Sequence, residues 1–443
     1  MKKVAAILKN KDIMNRILFT IAIFLIFRIG SAITIPGVTI SEDAFDTGDI
    51  FGMLNLMGGG ALQSFSLFAL GVSPYITAQI IVQLLQMDVL PVLVELGKQG
   101  ESGRKKIDMA TRYLTLFLGA IQAYGITITM QNSQGLVLND TSWFGYIKII
   151  VFLVAGSMLL MWMGDQITNK GIGNGISMII FAGIVSALPN QIIGAFQQYL
   201  GQKILTKDSA LILEGVLSLA LYLLAFFLIV VFVTFTEKSV RKLPVSHSSS
   251  STSNAAENAK SSFLPIKMNS SGVIPVIFAS SLMMAPAILT SFIAGQDIPN
   301  WAQTMINVFN SQVLVDTGGV MMPWGLIIYL VLIFAFTFFY SNLQINPEKL
   351  AKDFRENGTY ITGLRPGTET EKYIRKVLNR VTLLGACSLA LIACLPISLS
   401  LAGIVPASLA LGGTGLIIVV GVALEVFNQI EGLLAGKDYA KVI

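Results

Sequence analysis

Histidine and cysteine are almost absent from this sequence. His247 is its one histidine and lies in a serine-rich stretch; Cys387 and Cys394 are its two cysteines, seven apart in one apolar run. A lone histidine nearly excludes a His-based catalytic triad or a multi-His metal site. Two cysteines cannot build a disulfide framework or a zinc cluster, and they read as small buried residues on one helix face. No G-x-x-x-x-G-K-[ST] phosphate-binding loop occurs. The stretch from Gly432 to Lys437 has the wrong spacing, with Asp438 where Ser or Thr should stand. Nucleotide hydrolysis by that route is excluded, so any energy source must be a partner or the membrane potential. Nothing in the residues implies a cofactor. Charge is scarce too: 12% of residues are charged, against about 25% in soluble domains.

What the chain does have is apolar sequence. Of 443 residues, 54% are hydrophobic, and the mean hydropathy is +0.72. With so little charge, this composition places the chain among integral membrane proteins. The net charge is +5 and the pI near 9.0. The basic residues sit in short loops between apolar runs, which reads as a topology signal and as contact with an acidic partner or surface.

A helix needs about 20 apolar residues to cross a bilayer. Such runs fall at about 16–35, 73–91, 111–131, 144–164, 175–195, 211–235, 272–293, 323–343, 376–397 and 407–427. The first run follows Lys2, Lys3, Lys9, Lys11 and Arg16, as in a signal peptide. It is long for an h-region, however, and no A-x-A-like site follows, so it reads as a retained first helix. The stretch 50–68 is shorter, with Gly58, Gly59 and Gly60 in its middle, and fits a re-entrant or broken helix.

Lysine and arginine are unevenly distributed between the runs. One set of connections holds Lys98, Arg104, Lys105, Lys106, Lys170, Lys238, Arg241, Lys242, Lys260, Lys267, Lys349, Lys352, Arg355, Arg365, Lys372 and Arg375. In the alternate set, 132–143, 296–322 and 398–406 have no basic residue, and only 196–210 has any, at Lys203 and Lys207. The positive-inside rule then puts the basic loops and both termini in the cytoplasm.

An internal echo adds a symmetry. Gly71-Val72-Ser73-Pro74-Tyr75-Ile76-Thr77-Ala78 opens the second run, and Gly272-Val273-Ile274-Pro275-Val276-Ile277-Phe278-Ala279 opens the seventh. A weaker echo pairs Gly173-Asn174-Gly175 with Gly413-Thr414-Gly415, in the fifth and tenth. Five runs separate each pair, so matching helices cross in opposite directions. That is the signature of inverted halves, whose functional site lies at mid-membrane on their interface. The expected fold is all-α, ten transmembrane helices in two inverted five-helix halves, 1–205 and 206–443, around a central pore.

Ionisable residues are nearly missing at mid-span. Arg28, Lys148 and Glu214 fall near outer ends, and Asp165 and Glu425 near inner ends, where snorkelling or end-capping accounts for them. An ion-coupled secondary transporter also uses inverted halves, but it needs a midplane charged site, and none is visible. Isoleucines do recur beside the echo glycines and prolines: Ile76, Ile80, Ile176, Ile180, Ile277 and Ile418. Their spacing alone is accounted for by ordinary packing; a hydrophobic constriction at the midplane is the functional alternative.

Several segments, in this order, resemble the SecY family, the channel subunit of the bacterial Sec protein-translocation machinery. They are Phe68-Ala69-Leu70-Gly71-Val72-Ser73-Pro74-Tyr75-Ile76, Gly97-Lys98-Gln99-Gly100-Glu101-Ser102-Gly103-Arg104, Gly171-Ile172-Gly173-Asn174-Gly175-Ile176-Ser177, Gly272-Val273-Ile274-Pro275 with Phe278-Ala279-Ser280-Ser281, Asn346-Pro347-Glu348, Gly363-Leu364-Arg365-Pro366-Gly367 and Leu411-Gly412-Gly413-Thr414. The resemblance implies a protein-conducting channel in the bacterial cytoplasmic membrane and no enzyme activity. By position, the six isoleucines match the ring of aliphatic side chains that closes the pore waist. The stretch 50–68, with Gly58, Gly59 and Gly60, matches a short helix that plugs the outer funnel. The second and seventh spans match the lateral gate, flanked by the third and eighth, through which signal sequences of translocating polypeptides reach membrane lipid. The loops at about 237–271 and 344–375 match those that bind the ribosome or the motor ATPase SecA. The implied contacts are Arg365, with Arg241, Lys242 and Lys267 at the root of the first loop. SecE and SecG are the implied small subunits. One segment departs from the family: Ser246-His247-Ser248-Ser249-Ser250-Ser251-Thr252-Ser253-Asn254 stands where bacterial members have a basic tip. Residues 246–262 carry so little apolar surface and charge that they are expected to lack order when free.

Overall fold

The computed structural model describes residues 10–40, 55, 58–86, 90–132, 136–140, 142–205, 209–247, 263–294, 299–316, 319–361, 363–405 and 407–440. Helices dominate. In chain order they are α1 (Lys11–Ala32), α2 (Ser73–Leu85), α3 (Pro91–Lys98), α4 (Glu101–Asn132), α5 (Trp143–Lys170) and α6 (Gly175–Phe196), the last running on through a π turn at Gln197–Gly201. Then come α7 (Ser209–Lys238), α8 (Ile274–Ala294), α9 (Asn300–Phe309), α10 (Trp324–Gln344), α11 (Pro347–Glu356), α12 (Thr368–Leu401) and α13 (Ala407–Ala440). Their starts follow local chemistry. Asn174 caps α6 by accepting from the amides of Ile176 and Ser177, and Asn346 caps α11 by accepting from Glu348 and Lys349. Pro74, Pro91 and Pro347 occupy first-turn positions, where a missing N–H costs nothing.

Every expected span falls on a helix, but not every helix is a full span. Among the described residues eight are long and apolar enough to cross a membrane: α1, α4, α5, α6 with its continuation, α7, α10, α12 and α13. The described apolar stretches of α2 and α8 are shorter. With 13 residues, α2 rises about 20 Å, against a hydrocarbon core of about 30 Å.

The missing depth before α2 is occupied by irregular backbone. Residues 58–68, expected as part of a re-entrant or broken helix, run instead through a string of turns. Gly59, Gly60 and Gly71 take φ of +70°, +84° and +57°, and Phe65 takes +41°. Those left-handed values break an α-helix and suit glycine. Such backbone survives at membrane depth only where protein satisfies it. Here the Ile35 amide donates to the Phe65 carbonyl (3.2 Å), Leu67 to Ile33 (3.0 Å), and the buried Ser157 hydroxyl to Gly71 (3.1 Å). Residues 50–54, 56 and 57 lie outside the described residues.

The strong echo is structural. Gly71 before α2 and Gly272 before α8 share a left-handed φ, +57° and +63°. The weaker one is not local: Gly173 is left-handed just ahead of α6, whereas Gly413 lies inside α13, which begins earlier, at Ala407.

One core cluster draws buried side chains from both halves, among them Phe27 (α1), Ile76 (α2), Leu160 (α5), Ile180 (α6), Phe278 (α8), Ile333 (α10), Leu389 (α12) and Ile418 (α13). A second gathers Phe65, Leu70, Ala123, Ile126 and Leu153 with Met284 of α8. The outer faces are apolar too. On α7 the exposed Leu213, Leu217, Leu221, Leu224, Leu228, Val231 and Phe235 run at helical spacing, a stripe suited to lipid. Cys387, expected buried, is exposed, and Cys394 is half-buried. The close packing of α12 falls to Gly385, Ala386, Leu389, Ala390 and Ala393, and a one-residue step from Ala386 turns Cys387 about 100° away from that face.

Short strands, not expected from the sequence, organise the connections. Val38–Ile40 (β1) pairs antiparallel with Leu136–Leu138 (β2). Val240–His247 (β3) lies between Phe263–Lys267 (β4) and Thr359–Ile361 (β7), both antiparallel to it. Val315–Asp316 (β5) pairs with Met321–Met322 (β6). Ser246 and His247 therefore belong to a strand, facing Tyr360 and Thr359. Residues 248–262 lie outside the described residues.

Candidate functional site: an aliphatic waist, a buried turn segment and a basic sheet

The six isoleucines come from four helices. Ile76 and Ile80 come one turn apart from α2, Ile176 and Ile180 from α6, Ile277 from α8 and Ile418 from α13, all in the main core cluster. Five of them are at most 3% exposed. Ile176 is half-buried and wedges toward α5, where a Cβ added to Gly164 would stand 2.6 Å from its Cδ1. The arrangement has no ionisable member. Chemically it can exclude water and ions; it cannot hold a metal or carry a proton relay.

The glycine turn lies against this cluster. Gly58 and Gly59 are buried and Gly60 is half-buried. A Cβ on Gly59 would stand 3.0 Å from the Gly183 Cα on α6, so the two backbones touch. The Gly59 carbonyl accepts from Arg28 Nη1 of α1 (3.1 Å) and from the Ser186 hydroxyl of α6 (3.4 Å). Arg28 is thus not merely snorkelling: its guanidinium fastens the turn. Nearby, Phe68 stacks on Phe27 with ring centroids 5.9 Å apart, over the space left by Gly30.

The other ionisable residues near helix ends are mostly partnered. Asp165 pairs with Arg112 of α4 at 2.7 Å, and Glu214 with Lys203 at 3.3 Å. Glu425 lines a cavity of about 280 Å³ that also exposes Glu237, Lys267 and Asn269.

Three of the four basic residues expected to meet partners lie on one sheet, and the fourth, Arg365, lies beyond it. Arg241 and Lys242 sit on β3 opposite Ile266 and Pro265, and Lys267 closes β4 opposite Val240. All three are exposed, and Lys242 Nζ stands 4.7 Å above the Phe263 ring. Leu243 and Ile266 anchor the sheet on Leu378 of α12. β7 joins from the second loop, and Arg365 follows it four residues later. The Arg365 amide donates to the Glu369 carboxylate (3.4 Å), and its carbonyl accepts from the buried Thr370 hydroxyl (2.9 Å). Its backbone is held while its side chain is exposed. The family resemblance pointed to these residues; the sheet that carries Arg241, Lys242 and Lys267 had no signal in the sequence, since its strands are short and come from separate loops.

The SecY family model matches residues 66–427. The chain belongs to the SecY family. It is 43% identical over 440 residues, 98% of each chain, to the protein translocase subunit SecY 1 of Lactobacillus kefiranofaciens subsp. kefiranofaciens. Its fold is similar to a SecY structure in which the plug domain stabilises the closed state of the translocation channel and maintains a membrane seal (TM-score 0.66, 17% identity, 95% of this chain and 92% of that one). It is also similar to canine Sec61 in a ribosome–channel complex from the endoplasmic reticulum (TM-score 0.61, 17% identity, 95% and 93%). SecY membership makes this a multi-pass, all-α protein-translocation channel, not an ion-coupled secondary transporter, and a channel subunit rather than an enzyme.

Proposed function

We propose that this SecY-family chain conducts unfolded polypeptides across the bacterial cytoplasmic membrane and releases hydrophobic segments sideways into lipid. Ile76, Ile80, Ile176, Ile180, Ile277 and Ile418 close the waist. Residues 50–68, with Gly58, Gly59 and Gly60, act as the plug. α2 and α8 part as a lateral gate, with α4 and α10 beside them. Basic loops and both termini face the cytoplasm. There Arg241, Lys242, Lys267 and Arg365 meet SecA or the ribosome, while SecE and SecG associate within the membrane. The halves are 1–205 and 206–443.

One observation carries the reading: six isoleucines from four helices share a single apolar cluster that holds no acidic or basic side chain. Such a ring blocks ions because water leaves a narrow apolar constriction, yet aliphatic side chains can part around a chain of any sequence. Conductance tests it. Ile80→Ser combined with Ile277→Ser should let ions leak through reconstituted channels. A double variant as tight as the parent would return these residues to ordinary packing.

A further inference from the structure

The length of α10 marks where the membrane boundary lies. Its 21 residues rise about 31 Å, matching a hydrocarbon core of about 30 Å. Its first turn, at Trp324 and Gly325, therefore stands at that boundary. The end of α9 touches this turn: a Cβ added to Gly325 would collide with the Asn310 carbonyl. α9 packs against both α8 and α10. The short helix thus lies at the level where acyl chains give way to headgroups.

Three faces can be told apart on α9. At about 100° per residue, Ala302, Ile306 and Phe309 share one. Ala302 is buried, Ile306 is half-buried, and Phe309 packs on the main core cluster. Asn300, Gln303 and Thr304 form a second face, polar and exposed. Between the two lie Trp301, Met305 and Val308. Val308 is half-buried, but Trp301 and Met305 are exposed although apolar. Just ahead of α10, Met321 and Met322 are exposed as well. No lysine or arginine falls between 296 and 322. A helix surrounded by water gains nothing by turning a tryptophan and a methionine outward one turn apart. A helix lying in the headgroup region does, because one flank faces acyl chains and the other faces water. Tryptophan favours that level, where its ring is in the apolar layer and its N–H reaches polar groups.

We propose that α9 is an interfacial membrane anchor: Trp301, Met305 and Val308 insert among the acyl chains at the bilayer surface, while Asn300, Gln303 and Thr304 face water. Its partner is lipid of any headgroup charge, since no base is present to select anionic headgroups. Because α9 packs on α8 and α10, the anchor ties the depth of both helices to that surface. That the leaflet is the outer one rests on the proposed topology; insertion itself does not.

The chain has four tryptophans. Two variants of the complete complex are compared in phosphatidylcholine nanodiscs. One carries Trp143→Phe, Trp162→Phe and Trp324→Phe; the other adds Trp301→Phe. The difference in emission belongs to Trp301 alone, whatever the partner subunits contribute. Bromine placed high on the acyl chains should quench it about twofold or more, and bromine at the chain ends should quench it less. Anionic lipid should change neither value. Absence of quenching, or stronger quenching by the deep bromine, overturns the anchor; quenching only with anionic lipid overturns its indifference to headgroup. A second measurement does not depend on tryptophan. With Cys387 and Cys394 replaced, Gln303→Cys should react with a water-soluble maleimide in nanodiscs about tenfold or more faster than Met305→Cys. Equal rates overturn the proposal. So does protection of Met305→Cys in cells that is lost in nanodiscs, which would mean that a protein covers this face. In intact cells, Gln303→Cys should react from outside; reaction only after lysis would overturn the topology and leave the anchor standing.

Discussion

Arg28 of α1 donates from Nη1 to the carbonyl of Gly59 at 3.1 Å, and the same carbonyl accepts from Ser186 of α6. A charged side chain and a hydroxyl from two helices thus fasten one irregular turn. Arg28→Met should free the turn, since hydrogen bonds to charged groups are worth about 1.5–3 kcal/mol. The expected result is intermittent ion leakage in planar bilayers, smaller than that from deleting most of 50–68 and larger when Ser186→Ala is added. Arg28→Lys should restore part of the seal. Leakage at the parental level in Arg28→Met would leave the arginine an interfacial anchor only.

Orientation follows from the basic loops and can be tested by labelling. Val137 is exposed on β2, which pairs with β1, whereas its neighbours Leu136 and Leu138 are buried, so only Val137 suits a probe. In a background lacking Cys387 and Cys394, cysteines at Val137 and Asp316 should react with an impermeant reagent added outside intact cells. Cysteines at Ser250 and Thr368 should react only after lysis. Outside reaction at Ser250 would reverse the topology.

Apolar run length made the position of each spanning helix legible, because burial in lipid or core demands long apolar runs wherever a helix crosses; the short helices α3, α9 and α11 carry no such run and were not expected. Positive φ at Gly71 and Gly272 gives the echoed G-V-x-P its reason: both chains turn sharply before entering a helix. The turns at 58–68 were not legible as turns, since composition alone cannot separate a short buried helix from glycine-broken backbone. The β3–β7 pairing was hidden because Val245 and Ile361 are more than a hundred residues apart.

Arg365 presents its charge from a backbone fastened at both ends, through Glu369 and Thr370. Gly363 and Gly367 flank it with φ of +86° and +115°, values that shape a tight projecting turn. Arg365→Glu should reduce SecA-driven translocation at least tenfold while co-translational insertion and complex assembly persist. Thr370→Val leaves the guanidinium but frees the turn, and should give a smaller loss. Normal SecA-driven rates in Arg365→Glu would remove the residue from the docking surface.

The serine-rich segment and the strands β3 and β4 that flank it in sequence make opposite predictions. Between 248 and 262 only Glu257 and Lys260 are charged, so the segment has no cluster of bases to draw an acidic or RNA surface across a Debye length. Arg241, Lys242 and Lys267 have such a cluster, and β3 and β4 hold it rigidly over Leu243, Ile266 and Leu378. A base held by paired strands loses less entropy on binding than one that must first be ordered. Docking should therefore read the sheet and ignore the segment. Scrambling 248–262 at constant length should leave SecA affinity and translocation rate within about twofold of the parent. Charge reversal at Arg241 and Lys242 together should weaken affinity about tenfold or more at low ionic strength and progressively less as salt is added, because exposed pairs are screened. Both substitutions lie on exposed positions of β3, so the hairpin should still form, and retained complex assembly checks that it does. A scramble that abolishes translocation in an assembled complex would show that the serines themselves are read, by folding on contact with the partner.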